Sequence, residues 1–282
     1  MFSQKIPALI GTAALVALPV VMSAQPALAA VSGCYGDCQP GIVRSGGILK
    51  YDTLPGVNDQ VTVAVSGGFL LVTNPAGTLT AGAGCTLLTA QQARCQAATS
   101  TFGISLRSLD GDDSVTNATA IPSTIRAGDG NDRLTGGSGD DSLSGGYGSD
   151  VIQGGAGVDT ASYGEVANRI GIRADLDGAT GDDGSAEDGP AGARDTIAAD
   201  VENLSGTGAD DVLAGNAGPN VIVGSGGHDQ IQGLGGDDQL TANGNGTLNG
   251  GAGNDSCTSD MRLSPTTADV FVGCEQTAVV LP

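Results

Sequence analysis

The chain has no tryptophan, one histidine (His228), and only four tyrosines and four phenylalanines in 282 residues. So few aromatics cannot fill a broad core or line a cleft. They leave architectures that need little more than one aliphatic side chain per structural unit. A single histidine excludes the two-histidine H-E-x-x-H zinc motif, and no G-x-S-x-G nucleophile elbow occurs. His228 itself occupies a variable turn position, where a solvated side chain is expected. Basic residues are scarce too, 11 Lys+Arg against 31 Asp+Glu, for a net charge of −20. Nucleic acid and anionic membrane surfaces would repel such a chain; bound cations would compensate it. Long apolar runs are absent apart from Ile6 to Met22. Preceded by Lys5 and followed by Ala27-Leu28-Ala29, that run reads as a secretory signal peptide over residues 1–29, cleaved after Ala29. The expectation is a secreted, extracellular protein with no membrane insertion after cleavage, since no other segment is apolar enough to span a bilayer.

What is abundant is glycine, 48 residues, arranged with aspartate in a nine-residue period. Gly136-Gly137-Ser138-Gly139-Asp140-Asp141-Ser142-Leu143-Ser144 runs directly into Gly145-Gly146-Tyr147-Gly148-Ser149-Asp150-Val151-Ile152-Gln153, and then into Gly154-Gly155-Ala156-Gly157-Val158-Asp159. The form is G-G-x-G-x-D-x-U-x, with U apolar. The glycine half reads as a tight turn. The last three residues alternate polar, apolar and polar, as a short strand with one inward side chain does. Turn plus strand, repeated, winds into an all-β parallel coil, a β-roll with two units per rung.

In register, the period extends back through Asp132 to a worn unit ending in Asp113. A second array runs through Asp211, Asn220, Asp229, Asp238 and Asp255. The inward positions are Leu134, Leu143, Ile152, Leu213, Ile222, Ile231 and Leu240. A flexible linker has no reason to keep an aliphatic residue in that slot. Stacked turn carbonyls and carboxylates repel unless neutralised, and Ca²⁺ takes six to eight oxygen ligands of these kinds. Successive units alternate edges of the coil, so each ion is expected between units n and n+2. The predicted pairs are Asp132 with Asp150, Asp141 with Asp159, Asp211 with Asp229, Asp238 with Asp255, and, if the degenerate unit between them keeps the rung, Asp113 with Asp132. Asn220 with Asp238 has one charge fewer and should bind more weakly, and Asp229 has no acidic partner two units further on.

Six cysteines in an exported chain point to disulfides, and the spacing suggests Cys34–Cys38, Cys85–Cys95 and Cys257–Cys274. Cys257 falls on an inward position, so its bridge would pin the tail from Asp269 to Val272 over the open end of the coil as a cap. The expected organisation is the signal peptide, a β-rich N-terminal capping module (30–107), a first array (108–162), an inter-array insertion (163–205), a second array (206–258) and a C-terminal cap (259–282). Strands are expected at Gly47–Tyr51, Gln60–Val65 and Phe69–Thr73, and again at Ile170–Leu176, Asp195–Ile197 and Val201–Leu204, the last two re-entering the repeat. The acidic loop Asp182–Asp188 is a further cation candidate, although charge runs are usually solvated.

These residues resemble the RTX, or haemolysin-type, calcium-binding repeat proteins over about 108–162 and 206–258. The N-terminal strands, the Cys85–Cys95 spacing and the tail Val270-Phe271-Val272-Gly273-Cys274-Glu275 are similar to small exported calcium-binding proteins of high-GC Gram-positive bacteria. The resemblance implies a parallel β-roll that folds when Ca²⁺ binds. Many such proteins leave the cell through a C-terminal signal, which this chain's N-terminal leader departs from, so toxin or protease activity is not carried over. The function expected is a non-enzymatic, secreted Ca²⁺ binder holding several ions. The alternative is a calcium-stabilised adhesin or matrix scaffold with a cell-surface partner.

Overall fold

The computed structural model describes residues 42–44, 47–96, 103–164, 170–262 and 268–281. The expected signal peptide and the Cys34–Cys38 pair lie outside the described residues. Every regular element among them is a β-strand, and the strands wind into a parallel β-solenoid of about 9 turns. The β-roll read from the nonapeptides is the observed architecture.

One face of the coil is continuous. Its 12-stranded sheet includes the successive strands Gly103–Asp110, Ser123–Asp129, Ser142–Tyr147, Thr160–Ser162, Asn203–Ser205, Val221–Val223, Gln239–Ala242, Ser256–Asp260 and Gln276–Val280. The other face is divided into an 8-stranded and a 6-stranded sheet. Register follows the repeat, with Ile125 opposite Leu143, Leu134 opposite Ile152, Leu213 opposite Ile231, and Leu240 opposite Cys257. All seven inward positions named from the sequence are at most 1% exposed. They form a seam one residue wide, which explains how the chain folds with so little aromatic bulk. Each fully buried Leu or Ile contributes about 1.5–3 kcal/mol.

The N-terminal strands continue the coil rather than merely covering it. Ile48–Asp52 pairs in parallel with Gly103–Asp110, and Gln60–Ser66 with Ser114–Ala118. The antiparallel strands Phe69–Thr73, Gln92–Gln96 and Cys85–Thr89 then extend that face, with Cys85 bonded to Cys95. At the other end the tail forms a last rung. Val270–Val272 stacks on Thr247–Ala252, Gln276–Val280 stacks on Ser256–Asp260, and Cys257 is bonded to Cys274. The cap expected over the open end is therefore one more parallel turn, held by the predicted disulfide.

The inter-array segment has an unexpected path. Thr196–Ile197 stacks on Val151–Gly155, and Asn203–Ser205 on Thr160–Ser162, so both continue the first array. Ile172–Asp175 comes earlier in the chain, yet it pairs with Val212–Ala214 of the second array. The chain therefore runs ahead along the coil and comes back before resuming.

Two turns place leucine where the register partner is glycine. Leu109 (φ 76°) lies opposite Gly128, and Leu234 (φ 73°) opposite Gly251. Left-handed backbone costs a side-chain-bearing residue about 1–2 kcal/mol, and Leu234 is 51% exposed, so little burial offsets the strain. Leu234→Gly is expected to stabilise the protein by about 0.5–1 kcal/mol after glycine's own entropic penalty. In a thermal melt this is a rise of roughly 1–4 °C; a fall would show that the leucine's packing outweighs its strain.

Candidate metal sites

Each repeat turn carries its aspartate back under the strand, where the carboxylate is fixed by the rung before it. The backbone N–H of Asp132 donates to Asp150 Oδ1 at 2.9 Å, that of Asp141 to Asp159 Oδ1 at 2.8 Å, and that of Asp211 to Asp229 Oδ1 at 3.1 Å. Asp113 donates to Asp132 at 2.8 Å, Asn220 to Asp238 at 2.8 Å, and Asp238 to Asp255 at 2.9 Å. The structure thus brings together every n, n+2 pair named from the sequence. All ten candidate positions are buried, none more than 3% exposed.

The second carboxylate oxygen is the informative one. Oδ2 of Asp113, Asp132, Asp141, Asp150, Asp159, Asp229, Asp238 and Asp255 is buried with no hydrogen-bond partner. A buried charged oxygen without a donor costs several kcal/mol unless something else meets it. These oxygens point into their own turns. A Cβ placed on Gly136 would meet Asp141 Oδ2 at 2.6 Å and the Gly154 carbonyl at 2.5 Å. Carboxylate and carbonyl oxygens converging without donors form a donor set suited to a hard divalent cation, so the residues fit Ca²⁺. Asp211 and Asn220 are satisfied differently. Asp211 Oδ2 accepts from the Thr207 N–H at 2.7 Å; Asn220 Oδ1 accepts from Asn216, and its Nδ2 donates to the Glu202 carbonyl at 2.7 Å.

A second ladder runs along the outside in the opposite sense. The N–H groups of Asn131, Val158, His228 and Asn254 donate back to Oδ1 of Asp112, Asp140, Asp210 and Asp237 respectively, at 2.8–3.0 Å. Sequence reasoning passed over these fifth-position acids, although their side-by-side placement with the sixth-position aspartates was visible.

It also missed the ladder ends. The Asp59 N–H donates to Asp113 Oδ1 at 2.7 Å, the Asp150 N–H to Asp195 Oδ1 at 2.9 Å, and the Gly246 N–H to Asp269 Oδ1 at 2.7 Å. Gly246 fills the slot two units beyond Asp229, so that slot lacks an acid, but Asp269 lies one rung further on and reaches back. The signal for Asp195 was present in Asp195-Thr196-Ile197, an aspartate two residues before an apolar one. In the acidic segment, carboxylate oxygens of Asp175, Asp177 and Asp182 lie within 4.8 Å of one another. Asp183 turns inward instead, accepting from the Asp175 and Ile197 N–H groups.

Burial raises the pKa values of these acids, and stacked neighbours add to it. Asp113 is pushed up to about 7, Asp132 to about 6, Asp159 to about 6 and Asp229 to about 7. Asp150 rises to about 8 through burial and then the charge of Asp195. Burial also raises Asp141, Asp211 and Asp238. Between the unfolded carboxylate value and these raised values, the folded state holds more protons than the unfolded one, so stability falls as pH rises. In chelator, the coil is expected to be most stable below about pH 4–5 and to weaken progressively to about pH 8. Thermal melts in chelator at pH 5 and pH 8 check this, the pH 5 melt being expected at the higher temperature.

A parallel β-roll with acidic, donor-free oxygens buried in stacked turns has the make-up of a calcium-binding protein. The family of the RTX calcium-binding nonapeptide repeat matches residues 124–162, 205–240 and 241–257. The chain carries RTX calcium-binding repeats. No curated protein matches it.

Proposed function

We propose that this protein is a secreted, non-catalytic Ca²⁺-binding protein whose coil tightens when several ions enter between stacked turns. The observation that carries this reading is the set of donor-free Oδ2 atoms in the repeat turns. Each paired turn offers carboxylates to the ion, and turn carbonyls complete an all-oxygen shell of the kind Ca²⁺ takes. The ion's charge would offset the burial of these acids and displace the protons they otherwise retain. An apo chain with self-repelling turns has no rigid site, so the free energy of binding becomes free energy of folding. Extracellular modules bind Ca²⁺ at about 10⁻⁴–10⁻³ M, so such a coil would stay loose at cytoplasmic calcium levels and tighten outside.

The two disulfides, Cys85–Cys95 and Cys257–Cys274, support an oxidising destination. The non-catalytic reading rests on how the reactive groups are engaged. The repeat carboxylates are held within backbone ladders, and the exposed His228 donates its backbone N–H to Asp210.

Far-UV circular dichroism during a calcium titration from the chelated state is expected to show β-structure increasing to a plateau. Unchanged spectra, together with no heat of binding by calorimetry, would sink the proposal. Asp141→Asn removes one of two charges from its site while keeping the Oδ1 acceptor. It is expected to weaken Ca²⁺ there by at least about tenfold, on the order of 1.4 kcal/mol, read as a low-affinity step in the calorimetric isotherm. An isotherm identical to that of the unmodified protein would remove Asp141 from the ligand set.

A further inference from the structure

A repeat turn runs six residues from first glycine to aspartate, as from Gly136 to Asp141. Its mark is a pair of oxygens converging on the first glycine: the Oδ2 of the turn's own aspartate and a carbonyl from two units on. Gly136 faces Asp141 Oδ2 and the Gly154 carbonyl, and Gly233 faces Asp238 Oδ2 and the Gly250 carbonyl.

Two glycines show the same mark against segments that are not repeats. Gly154 faces Asp159 Oδ2 and the carbonyl of Asp200; Gly250 faces Asp255 Oδ2 and the carbonyl of Gly273. From those carbonyls the stretch to the next acid is only three residues, Asp200-Val201-Glu202 and Gly273-Cys274-Glu275. Both acids are glutamate, and both take the place of the next repeat aspartate. The Asp159 N–H donates to Glu202 Oε2 at 2.8 Å, and the Asp255 N–H to Glu275 Oε2 at 2.7 Å. The register beyond is the repeat's own. Asn203 N–H donates to the Asp159 carbonyl at 2.9 Å and Gln276 N–H to that of Asp255 at 3.0 Å, as Thr160 N–H does to that of Asp141 at 2.8 Å. The turn is shorter by three residues, and the glutamate carboxylate meets the N–H of the previous rung as a repeat aspartate does.

Asp159 and Asp255 are both 0% exposed, and the Oδ2 of each has no hydrogen-bond partner. In the first case the turn is also anchored, because the Asp200 carboxylate accepts from the N–H groups of Gly154 and Gly155 at 3.2 and 3.0 Å. We propose that Asp159 with Glu202, and Asp255 with Glu275, form two further Ca²⁺ sites, each closed by a three-residue turn ending in glutamate. Neither glutamate lies within the matched repeat residues. The first site ties the end of one array to the chain returning from the inter-array excursion, and the second lies beside the Cys257–Cys274 bridge. The inference rests on the repeat turns holding calcium.

The test counts Ca²⁺ per full-length chain by elemental analysis after equilibrium dialysis at saturating calcium. Glu202→Gln and Glu275→Gln keep an acceptor for the Asp159 and Asp255 N–H groups, so circular dichroism should show the coil intact. Each variant is expected to lose one ion and the double variant two. Unchanged counts in folded variants, from a protein that otherwise binds calcium, overturn this inference alone. No calcium on the unmodified protein overturns the repeat-turn reading as well. If a variant fails to fold, anomalous diffraction from calcium-soaked crystals of the unmodified protein decides. Calcium density beside Glu202 and Glu275 supports the sites, and its absence at both removes them.

Discussion

Everything in this molecule follows from stacking like charges. A coil two units per rung places the sixth-position aspartates above one another along each edge, and the strand register leaves them no room to move apart. The backbone meets half of each carboxylate, through an N–H donated from the preceding rung. The other half remains buried and unmet in eight of the ten repeat positions. The deficit of lysine and arginine and the need for a counter-charge fit that constraint, and the stacked neighbours add to the upward pKa shifts that burial causes. A protein cation fixed at each turn would offset the charge permanently. An ion drawn from solution would offset it only where that ion is plentiful, and under the proposed function this would make the fold conditional on its surroundings.

The hydrophobic side of the design is correspondingly thin. One aliphatic residue per unit, from Leu134 to Leu240, gives a seam that is fully buried but only one side chain wide. Such a seam fixes register strongly, because a one-residue slip would turn every leucine outward. It does little to hold the two edges closed. Seam burial therefore controls how the coil aligns, and under the proposed function the edge charges would control whether it closes.

The architecture and the repeat pairs were legible because both depend on spacing alone. A period of nine with an apolar eighth position states the rung, and alternation of edges states which aspartates meet. What escaped depends on shape. Asp59 and Asp269 close ladders from segments without the glycine turn, so no period marks them. Glu202 and Glu275 are hidden because each ends a shortened turn and is glutamate where the repeat has aspartate. The outer ladder was missed because its position varies among Asp, Asn, Ser, Val, Pro and His, which looks like drift until the hydrogen bonds show that any residue with a backbone N–H can donate and that Asp or Asn can accept. The path of Ile172–Asp175 was not legible at all, since its strand character is visible in the sequence and its partner is not.

That path has a consequence for how the chain assembles. Ile172–Asp175 is made before Thr196–Ile197 but stacks on Val212–Ala214, whereas Thr196–Ile197 stacks behind it on the first array. The coil therefore cannot zip from one end to the other in the order the ribosome or an export channel delivers it. The first array can wind through Ser162 on arrival. The junction then waits, with Ile172–Asp175 unpartnered by its parallel neighbour, until roughly forty more residues have emerged. The midpoint of the molecule thus closes out of chain order, and a chain halted there would present an open strand edge to its neighbours.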